Sequence, residues 1–302
     1  MMKKALITGA TGFIGVNLIR RLLLEGWHVH IIIRPNTSMA ILGNICEQVT
    51  VFTHDGSALN MLNIMTEVKP DIVFHLASLF LAAHQTKDIK PLITNNLLLG
   101  TQLLDAMAKN DVQYIVNTGT SWQHFNNDNY TPVNLYAATK NAFEMILRFY
   151  TSSTSIKAIT LKLFDTYGAN DPRAKLFSLL QKASKNVQPL AMSPGEQLID
   201  IVYIDDVVDA FVTAADRLLK REANSFEEFS VTSGRPIKLK DLVEIYIQIT
   251  GEILPLIWGA RTYRDREVMV PWNTGQSLPG WHAKVTFENG IKLIQRIEDG
   301  GL

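Results

Sequence analysis

Residues 8–15 of this 302-residue chain read TGATGFIG, a turn with three glycines spaced three apart. A short apolar run at residues 5–8 precedes the turn, and leucines and isoleucines at helical spacing follow it over residues 14–25. A glycine turn between a strand and a helix is typical of dinucleotide sites, because glycine lets the backbone approach a pyrophosphate and the helix N-terminus offers free N–H groups. The spacing is G-x-x-G-x-x-G rather than the commoner G-x-G-x-x-G, and glycines that serve only the turn are the alternative.

The first half of the chain alternates short β-branched runs with longer helical patterns, which predicts a parallel sheet with crossover helices. We therefore predict an α/β fold, with a Rossmann-type doubly wound parallel sheet that is buried on both faces. The predicted strands are residues 5–8, 28–33, 49–53, 72–76, 114–118 and 158–164. The predicted helices are residues 14–25, 102–109 and 136–151.

In the second half the regular alternation gives way to loops rich in glycine and proline and to an irregular, aromatic-rich C-terminal third. This change predicts a smaller lobe over the carboxyl edge of the sheet, where open α/β sheets bind ligands. Its predicted elements are a loop at 168–173, a helix at 176–183, a strand at 198–204 and a helix at 205–219. We assign residues 1–167, with 198–235 returning to the sheet, to a cofactor-binding domain. The smaller C-terminal substrate-binding lobe comprises residues 168–197 and 236–302.

Composition limits the partners that we expect. Lys plus Arg and Asp plus Glu each total 29 and form no run of like charges, so net charge argues neither for nor against a nucleic-acid or membrane partner. We expect no nucleic-acid partner. The chain has no apolar run near the ~20 residues of a membrane span, and its N-terminus indicates a strand rather than a signal peptide. We therefore expect a cytoplasmic protein with no membrane partner. Cys46 is the single cysteine, and His75, His84 and His124 have no metal-ligand spacing, so we expect no metal.

Tyr136 and Lys140 stand four residues apart, so a helix would place them on one face. A phenol with a pKa of about 10 is a poor acid or base at neutral pH, and a neighbouring ammonium lowers that pKa. Lys140 would therefore lower the pKa of Tyr136 while also binding the nicotinamide ribose. Thr120, just after the predicted strand at 114–118, would form a hydrogen bond with the substrate oxygen. With the glycine turn, the pair indicates redox chemistry at a carbinol or carbonyl carbon; ordinary surface residues are the alternative.

The residue after the second predicted strand bears on the choice of cofactor. NAD sites usually place Asp or Glu there for the ribose hydroxyls, whereas this strand is followed by Arg34. Because arginine pairs bidentately with a 2′-phosphate, we expect NADP, as NADPH; use of NAD and a solvated surface role for Arg34 are the alternatives. Asp55 follows the third strand, where it can accept from an adenine amino group, and an Asp-Gly turn with Gly56 explains the spacing equally well.

Four stretches together resemble extended short-chain dehydrogenases/reductases of the NAD-dependent epimerase/dehydratase family. They are residues 8–15, Tyr136-x-x-x-Lys140, LKLFDTYG at 161–168 and VYIDD at 202–206. The resemblance spans nearly the whole chain. It implies a catalytic set of Thr120, Tyr136 and Lys140 and a C-terminal lobe that holds a nucleoside diphosphate. It also implies a homodimer that pairs through the helix of Tyr136.

The resemblance and the patterns above together predict the residues of the site. The predicted cofactor-binding positions are Gly9, Thr11, Gly12, Phe13, Ile14, Gly15, Arg34, Asp55, Gly56, Leu76 and Ala77, with Tyr136 and Lys140. The predicted substrate-binding positions are Ser121, Trp122, His124, Asp165 and Arg264. Within this set, Arg264 is expected to contact a diphosphate. Trp122 is expected to stack on a sugar ring, with packing at the sheet edge as the alternative. The family pattern also implies a supporting structural role for Asn96.

Departures from the family pattern indicate the reaction. Sugar 4,6-dehydratases of the family follow the catalytic hydroxyl with an Asp-Glu pair, whereas Thr120 is followed by SWQH at 121–124, which has no acid/base pair for loss of water. The usual Asn of the LxLFNxYG motif is Asp165 here. The chain resembles reductases that complete deoxyhexoses, such as CDP-abequose or CDP-paratose synthases and dTDP-6-deoxy-hexulose 4-reductases. This resemblance lies in GEQ at 195–197, DDVVDA at 205–210, Arg264-Asp265-x-Glu267 and Gly280-Trp281.

The leading hypothesis is an NADPH-dependent reduction of the C4 ketone of a CDP- or dTDP-linked 4-keto-6-deoxyhexose, in deoxysugar biosynthesis of the kind that serves lipopolysaccharide O antigens. A nucleotide-sugar 4-epimerase with tightly bound NAD uses the same residues, although Arg34 counts against it because an epimerase regenerates its cofactor. A reductase of small ketones or aldehydes is a further alternative. A redox-sensing protein that binds NADP without turnover would have no need of Tyr136 and Lys140.

Overall fold

The computed structural model describes residues 2–129, 131–173, 175–184 and 189–300. The strands are β1 (Lys4–Thr8), β2 (His28–Ile33), β3 (Thr50–Thr53), β4 (Ile72–His75), β5 (Tyr114–Thr120), β6 (Lys157–Leu163), β7 (Asp165–Tyr167), β8 (Leu190–Ala191), β9 (Leu198–Ile199), β10 (Ile201–Tyr203), β11 (Phe226–Val231), β12 (Ile237–Lys238) and β13 (Leu256–Ile257). The helices are α1 (Phe13–Leu24), α2 (Ala58–Val68), α3 (Ile89–Ile93), α4 (Leu99–Lys109), α5 (Leu135–Ser153), α6 (Leu176–Ser184), α7 (Ile204–Leu219), α8 (Leu239–Thr250) and α9 (Phe287–Glu298).

A seven-stranded parallel sheet forms the centre of the molecule, in the order β11-β6-β5-β4-β1-β2-β3. The predicted α/β fold with a doubly wound parallel sheet is confirmed. The strand order reverses between β1 and β4, because β2 and β3 extend the sheet on one side of β1 and the later strands extend it on the other. The crevice at the carboxyl ends of these two strands is where open α/β sheets bind ligands.

Both faces of the sheet are buried, which explains the continuous apolar runs in its strands. One core cluster packs α1 and α7 against one face, and the other packs α2, α4 and α5 against the opposite face. Neighbours in β1 point to opposite faces, so Leu6 belongs to one cluster and Ile7 to the other, and both are fully buried. Each such side chain contributes about 1.5–3 kcal/mol through burial.

The predicted single strand at 198–204 is wrong, since the structure divides it into β9 and β10 on either side of Asp200. The buried Asp200 carboxylate accepts hydrogen bonds from the Thr232 hydroxyl and from the backbone N–H of Ser233. Neither short strand joins the central sheet: β10 pairs with β7 and β9 with β12. Within the region expected to return to the sheet, it is β11 that does so, beside β6.

The later part of the chain adds smaller elements above the carboxyl edge of the sheet. Helices α8 and α9 pack on each other, and β8 pairs with β13. Tyr167, from β7, contacts Phe177 of α6 and Phe287 of α9, with ring centroids 5.3 and 5.7 Å away. Among the residues that the structure describes, no helix has both the length and the apolar character needed to cross a bilayer.

Candidate active site

The glycine turn after β1 is shaped by close backbone contacts. Gly9 has a φ of +74°, and a Cβ added there would stand 2.6 Å from the backbone nitrogen of Ala77. A Cβ at Gly15 would collide with the carbonyl oxygen of Gly9. Only glycine fits these two positions, and the turn thereby meets the Leu76–Ala77 segment at the point where the strand order reverses. The positions predicted to bind cofactor at 8–15 and at 76–77 therefore lie together.

The N-terminus of α1 is suited to an anion. Gly12 is its N-cap residue and brings no side chain to occupy the first backbone N–H groups. Phe13 is buried beneath the guanidinium of Arg173, which lies 4.8 Å from its ring centroid, so Phe13 can offer only its backbone N–H. Free N–H groups and the positive end of the helix dipole fit a pyrophosphate, which is what a dinucleotide would place there.

Arg34, predicted to select the cofactor, and Asp55, predicted to contact its adenine, lie at the surface beyond β2 and β3. Arg34 is exposed and donates a weak hydrogen bond of 3.4 Å to Asn95. The carboxylate of Asp55 accepts from the backbone N–H of Ser57 at 2.7 Å, and this hydrogen bond lowers the pKa of Asp55. The turn role of Asp55, which was the alternative, is thus present, and its contact with adenine stays a prediction, as does the selection of NADP by Arg34.

Helix α5 places Tyr136 and Lys140 side by side at the carboxyl edge of the sheet. Asn134 caps this helix through a 2.9 Å hydrogen bond from the backbone N–H of Ala137 to its side chain. Tyr136 is 9% exposed and Lys140 is 4% exposed. The Lys140 ammonium donates to the carbonyl oxygen of Thr118 at 2.9 Å, which places it behind the end of β5.

The pKa values of this pair differ from the expectation. Burial raises the pKa of Tyr136 to about 12, while the Ser78 hydroxyl opposes that rise. Burial lowers the pKa of Lys140 to about 8. The expected lowering of the phenol pKa by the ammonium is therefore wrong here, because desolvation of the phenolate dominates. At neutral pH Tyr136 is a neutral phenol that holds its proton, next to a lysine that is still mostly charged.

Thr120, at the end of β5, is held in a defined orientation. Its hydroxyl oxygen accepts from the backbone N–H of Trp122 at 3.3 Å, and its own backbone N–H donates to the Gln123 side chain at 2.9 Å. Because the hydroxyl accepts from the chain, its hydrogen remains available to donate to a substrate oxygen.

Asn96 connects the loop after β4 to α5. It lies in a π-helical turn, Thr94–Leu98, between α3 and α4, and it is 2% exposed. Its amide accepts from the backbone N–H of Leu79 at 2.7 Å and donates to the Thr139 hydroxyl at 2.9 Å. Thr139 in turn donates to the carbonyl oxygen of Tyr136. A π turn at such a position is frequent near functional sites, and the contacts agree with the supporting role that the resemblance implied.

A cavity of about 620 Å³ lies between the sheet edge and the later elements. Aromatic side chains line the part next to Tyr136: Phe80 stands edge-on to the Tyr136 ring at 5.0 Å, and Trp122 lies 5.6 Å from Phe80. Charged side chains also line the cavity: the cations Arg173, Lys175, Arg261 and Arg264, and the carboxylates Asp165, Asp171, Glu267 and Glu298. Three of the cations are paired with carboxylates of the same wall, Arg173 with Asp171, Lys175 with Asp165 and Arg264 with Glu267, so an anionic ligand would take the place of these pairings.

The predicted substrate residues are only partly brought together. Trp122, Asp165 and Arg264 line the cavity. Asp165 pairs with Lys175 at 2.8 Å, and the Arg264 guanidinium lies 5.4 Å from the Trp122 ring. Arg264 also donates two hydrogen bonds, of 2.7 and 2.9 Å, to the Glu267 carboxylate. A diphosphate would have to displace this carboxylate or bind the remaining N–H groups of Arg264. Trp122 packs on Phe80 in the structure, so its stacking on a sugar stays a prediction.

Ser121 and His124 are not among the described residues that line the cavity. His124 is 5% exposed and stacks on Trp272 with ring centroids 4.1 Å apart. Burial, with help from Lys162, lowers the pKa of His124 to about 4, so this imidazole is neutral at pH 7. A role for His124 toward a substrate hydroxyl stays a prediction without support from its position.

Several cavity residues were not found from the sequence. Phe80, Arg173, Lys175 and Arg261 lie in loops or at a helix start, where periodicity carries no information. Arg173 follows Asp-Pro in the predicted loop at 168–173. The sequence shows a cation in that loop, but it does not show whether its side chain faces the cavity or the solvent. Within the described ranges, no group of three or more His, Cys, Asp or Glu side chains is arranged to hold a metal.

The fold is that of a Rossmann-type α/β enzyme, and the glycine turn, Thr120, Tyr136 and Lys140 lie at the carboxyl edge of its sheet. A model of the NAD-dependent epimerase/dehydratase family matches residues 5–227, so the chain belongs to that family. It is 27% identical to CDP-abequose synthase from Salmonella muenchen over 98% of each chain. It is 26% identical to dTDP-L-rhamnose 4-epimerase from Burkholderia thailandensis over 97% of this chain and 94% of the relative.

Solved structures show the same architecture. The UDP-glucose 4-epimerase of Stenotrophomonas maltophila, solved with bound NAD and formylated UDP-arabinopyranose, superposes with a TM-score of 0.86 over the whole of both chains at 20% identity. At that identity the likeness concerns the fold, which is shared from end to end.

Proposed function

We propose that the protein is an NADPH-dependent reductase that converts the C4 ketone of a nucleotide-linked 4-keto-6-deoxyhexose to the alcohol. The observation that carries this proposal is a protonated, buried Tyr136 that stands one helical turn from Lys140 on α5 and meets the cavity through Phe80, 5.0 Å away. A ketone reductase must deliver a proton to the oxygen of the forming alcohol, and a neutral phenol is in the right state to do so. The further assignment of residues 1–167 and 198–235 to the cofactor, and of the remainder to the substrate, is part of the proposal.

The division of labour in the site rests on its contacts. When bound, NADPH supplies the hydride that reduces C4. Thr120 donates a hydrogen bond to the ketone oxygen and orients it, and Tyr136 transfers its phenolic proton to that oxygen. Lys140 binds the ribose hydroxyls and stabilises the phenolate that Tyr136 leaves. The balance is one ketone, one NADPH and one proton in, and one alcohol and one NADP⁺ out.

A nucleotide sugar is supported by the cations of the cavity and by the relatives. Four cations, Arg173, Lys175, Arg261 and Arg264, line the cavity, and a diphosphate would replace the carboxylates that pair with three of them. Phe80 and Trp122 line the part beside Tyr136, where the deoxygenated part of the sugar would lie. The Salmonella relative is a CDP-abequose synthase, which favours a CDP-linked substrate, with a dTDP-linked one next.

Reduction is favoured over loss of water because the residues just after Thr120 supply no acid/base pair. Elimination across C5 and C6 needs one group to take the C5 proton and another to protonate the leaving hydroxyl. Ser121 is a very weak acid, the Trp122 indole only donates a hydrogen bond, and His124 is neutral and stacked on Trp272. The carboxylates of Asp165 and Glu267 are each paired with a cation.

A 4-epimerase is the second candidate, favoured by the relative that is a dTDP-L-rhamnose 4-epimerase. An epimerase returns its hydride to the substrate and keeps its cofactor as NAD. Arg34 at the end of β2 argues for exchange with the NADPH pool instead. Net consumption of cofactor separates the two activities.

We further propose a homodimer that forms through the helices on the outer side of the sheet. Leu98, Met145 and Phe149 are 47, 61 and 62% exposed, although all three are large and apolar. Met145 and Phe149 are four residues apart on α5, and the π turn that carries Leu98 packs beside α5. Burial of such a face between two copies would remove it from water. Such an enzyme would act in the cytoplasm, in deoxysugar biosynthesis of the lipopolysaccharide type.

The proposed function is tested by mixing the purified protein with NADPH and a panel of CDP-, dTDP-, GDP- and UDP-linked 4-keto-6-deoxysugars. We expect NADPH oxidation in a one-to-one ratio with alcohol formed, and fastest with a CDP- or dTDP-linked substrate. The same protein with CDP- or dTDP-glucose should form no 4-keto-6-deoxysugar. Formation of that product without net cofactor change would show a dehydratase, and interconversion of C4 epimers without net change would show an epimerase.

A further inference from the structure

A buried glutamine lies directly behind the hydroxyl-bearing end of β5. The Gln123 side chain is fully buried and its carboxamide oxygen accepts from the backbone N–H of Thr120 at 2.9 Å. Its amide nitrogen donates to the Asn141 side chain at 2.6 Å and to the Glu144 carboxylate at 3.0 Å. Both Asn141 and Glu144 belong to α5, the helix that carries Tyr136 and Lys140. One side chain thus joins the two chain segments that supply the catalytic groups.

The same side chain also forms half of a reciprocal cap. The Thr120 hydroxyl accepts from backbone N–H groups of the short turn Ser121–Gln123, while Gln123 accepts from the backbone of Thr120. This arrangement fixes the Thr120 rotamer from both ends, since the side chain and the backbone N–H are each engaged. The Thr120 hydroxyl is left with its hydrogen to donate, in one direction.

The α5 end of the link is anchored by buried charge. Glu144 pairs with Lys162 at 2.9 Å, and Lys162 is only 1% exposed. Burial alone would raise the pKa of the Glu144 carboxyl, but Lys162 holds it below its usual range, so Glu144 accepts from Gln123 as a carboxylate. Lys162 also lies 3.6 Å from Glu228 on the edge strand β11. The hydrogen bond from Gln123 to Glu144 is therefore charge-assisted, and such bonds are stronger than those between neutral groups.

The backbone leaves room for this side chain. A Cβ added at Gly119 would stand 2.8 Å from the Gln123 carboxamide oxygen and 3.0 Å from a Thr160 methyl carbon. Gly119, directly before Thr120, therefore leaves space for the Gln123 side chain. A larger residue at position 119 would displace the carboxamide that accepts from the Thr120 backbone.

We propose that Gln123 is a positioning residue that holds the Thr120 hydroxyl at a fixed distance and direction from Tyr136 and Lys140. The inference rests on the proposed function, because it assumes that Thr120 donates to the ketone oxygen while Tyr136 transfers a proton to it. Gln123 itself is fully buried and is not among the described residues that line the cavity, so it would act through Thr120. Its effect is on the geometry of the reacting groups, and displacement of such a group by about 1 Å costs as much as about 100-fold in rate.

The test is Gln123→Met, which keeps the length and volume of the side chain and removes all three hydrogen bonds. We expect kcat per NADPH-binding site to fall roughly 10- to 100-fold, with KM for the ketosugar and Kd for NADPH within about twofold of the unmodified enzyme. NADPH deuterated at the transferred hydrogen should give a larger isotope effect on kcat in the variant, because the chemical step becomes slower. An unchanged kcat per binding site and an unchanged isotope effect would overturn the proposal.

The matched control is Tyr246→Phe, which removes a buried side chain's hydrogen bond, of 3.1 Å to Glu252, in the C-terminal part of the chain. It should lower thermal stability without changing kcat or the isotope effect. Asn141→Ala removes the hydrogen bond between Gln123 and α5 at a half-buried position. It can therefore test the proposal even if Gln123→Met fails to fold. It should lower kcat in the same direction by several-fold, and normal turnover in Asn141→Ala with NADPH bound would count against the proposal.

Failure of this inference can be told from failure of the proposed function. If Tyr136→Phe retains turnover, the catalytic assignment is wrong and the role of Gln123 loses its basis. If Tyr136→Phe is inactive while Gln123→Met and Asn141→Ala both keep full kcat, the reductase assignment stands and the positioning role is wrong.

Discussion

The ammonium of Lys140 donates a hydrogen bond of 2.9 Å to the backbone carbonyl oxygen of Thr118, two residues before the hydroxyl of Thr120. This contact holds a charged side chain that is only 4% exposed against the end of a core strand. Burial lowers the pKa of Lys140 to about 8, within reach of ordinary assay conditions. The site therefore carries one group that titrates just above neutral pH.

We expect kcat/KM for NADPH to fall as the pH rises through about 8, because Lys140 in the free enzyme then loses the charge that would bind ribose and stabilise the phenolate. Tyr136 does not limit the profile in that range, since its pKa of about 12 keeps the phenol protonated. The measurement is kcat/KM for NADPH between about pH 6.5 and pH 10, because this ratio reports the groups of the free enzyme. A flat profile across that interval would mean that the charge of Lys140 is not used.

Lys140→Met should inactivate the enzyme and yet stabilise it. The lysine pKa falls from 10.5 to about 8 on folding, so the unfolded chain binds the proton more tightly. The buried charge therefore costs stability in full below pH 8, and the cost is relieved as the pH rises toward 10.5. We expect Lys140→Met to be about 1–3 kcal/mol more stable at pH 7, with a smaller difference near pH 10. Urea unfolding at both pH values measures this, with the exposed Lys292→Met as control.

Tyr136→Phe removes the phenol and keeps the ring that packs against Phe80 at 5.0 Å. We expect turnover to fall by roughly 10²- to 10⁴-fold, because the positioned acid is lost, while NADPH binding is largely retained. Tyr150→Phe, at a half-buried position in the last part of the same helix, is the matched control and should behave as the unmodified enzyme. Near-normal turnover in Tyr136→Phe would reject Tyr136 as the acid.

The parts of the site that the sequence predicted are those set by local pattern. The glycine turn and the Tyr136–Lys140 pair lie within one strand, turn or helix, where spacing determines which side chains share a face. The helix α2 was not predicted, although Ser57 caps its first turn by accepting from the backbone N–H of Asn60 at 3.1 Å. That signal, a serine directly before an apolar periodic stretch, was present in the sequence.

The features that could not be predicted depend on tertiary packing. Phe80 faces Tyr136 from the loop after β4, which Asn96 holds through Leu79. The raised pKa of Tyr136 likewise comes from burial under other segments and not from its spacing to Lys140. The strand expected at 198–204 is interrupted because Asp200 finds partners more than thirty residues away, at Thr232 and Ser233.

Arg34→Asp should reverse the choice of cofactor. An arginine at the end of β2 favours a 2′-phosphate, whereas a carboxylate there accepts from a 2′-hydroxyl and repels the phosphate. We expect kcat/KM for NADPH to fall and that for NADH to stay or improve. The exposed Arg20→Asp on α1 makes the same change of charge elsewhere and serves as control. Equal use of both cofactors by the unmodified enzyme, with no change in Arg34→Asp, would show that Arg34 does not select the phosphate.

The last prediction concerns assembly. Phe149 is 62% exposed on the outer face of α5, four residues from Met145, which is 61% exposed. If this face is buried between two copies, Phe149→Glu places a charge in an apolar interface on both sides of the two-fold axis, where burial of an unpaired carboxylate is costly. We expect a dimer by sedimentation velocity for the unmodified chain and a monomer for Phe149→Glu. Leu24→Glu, at a side chain that is 86% exposed at the end of α1, adds the same charge in place of another apolar residue and should remain a dimer. A monomeric unmodified chain, or a dimer that survives Phe149→Glu unweakened, would show that the apolar face of α5 is not the interface.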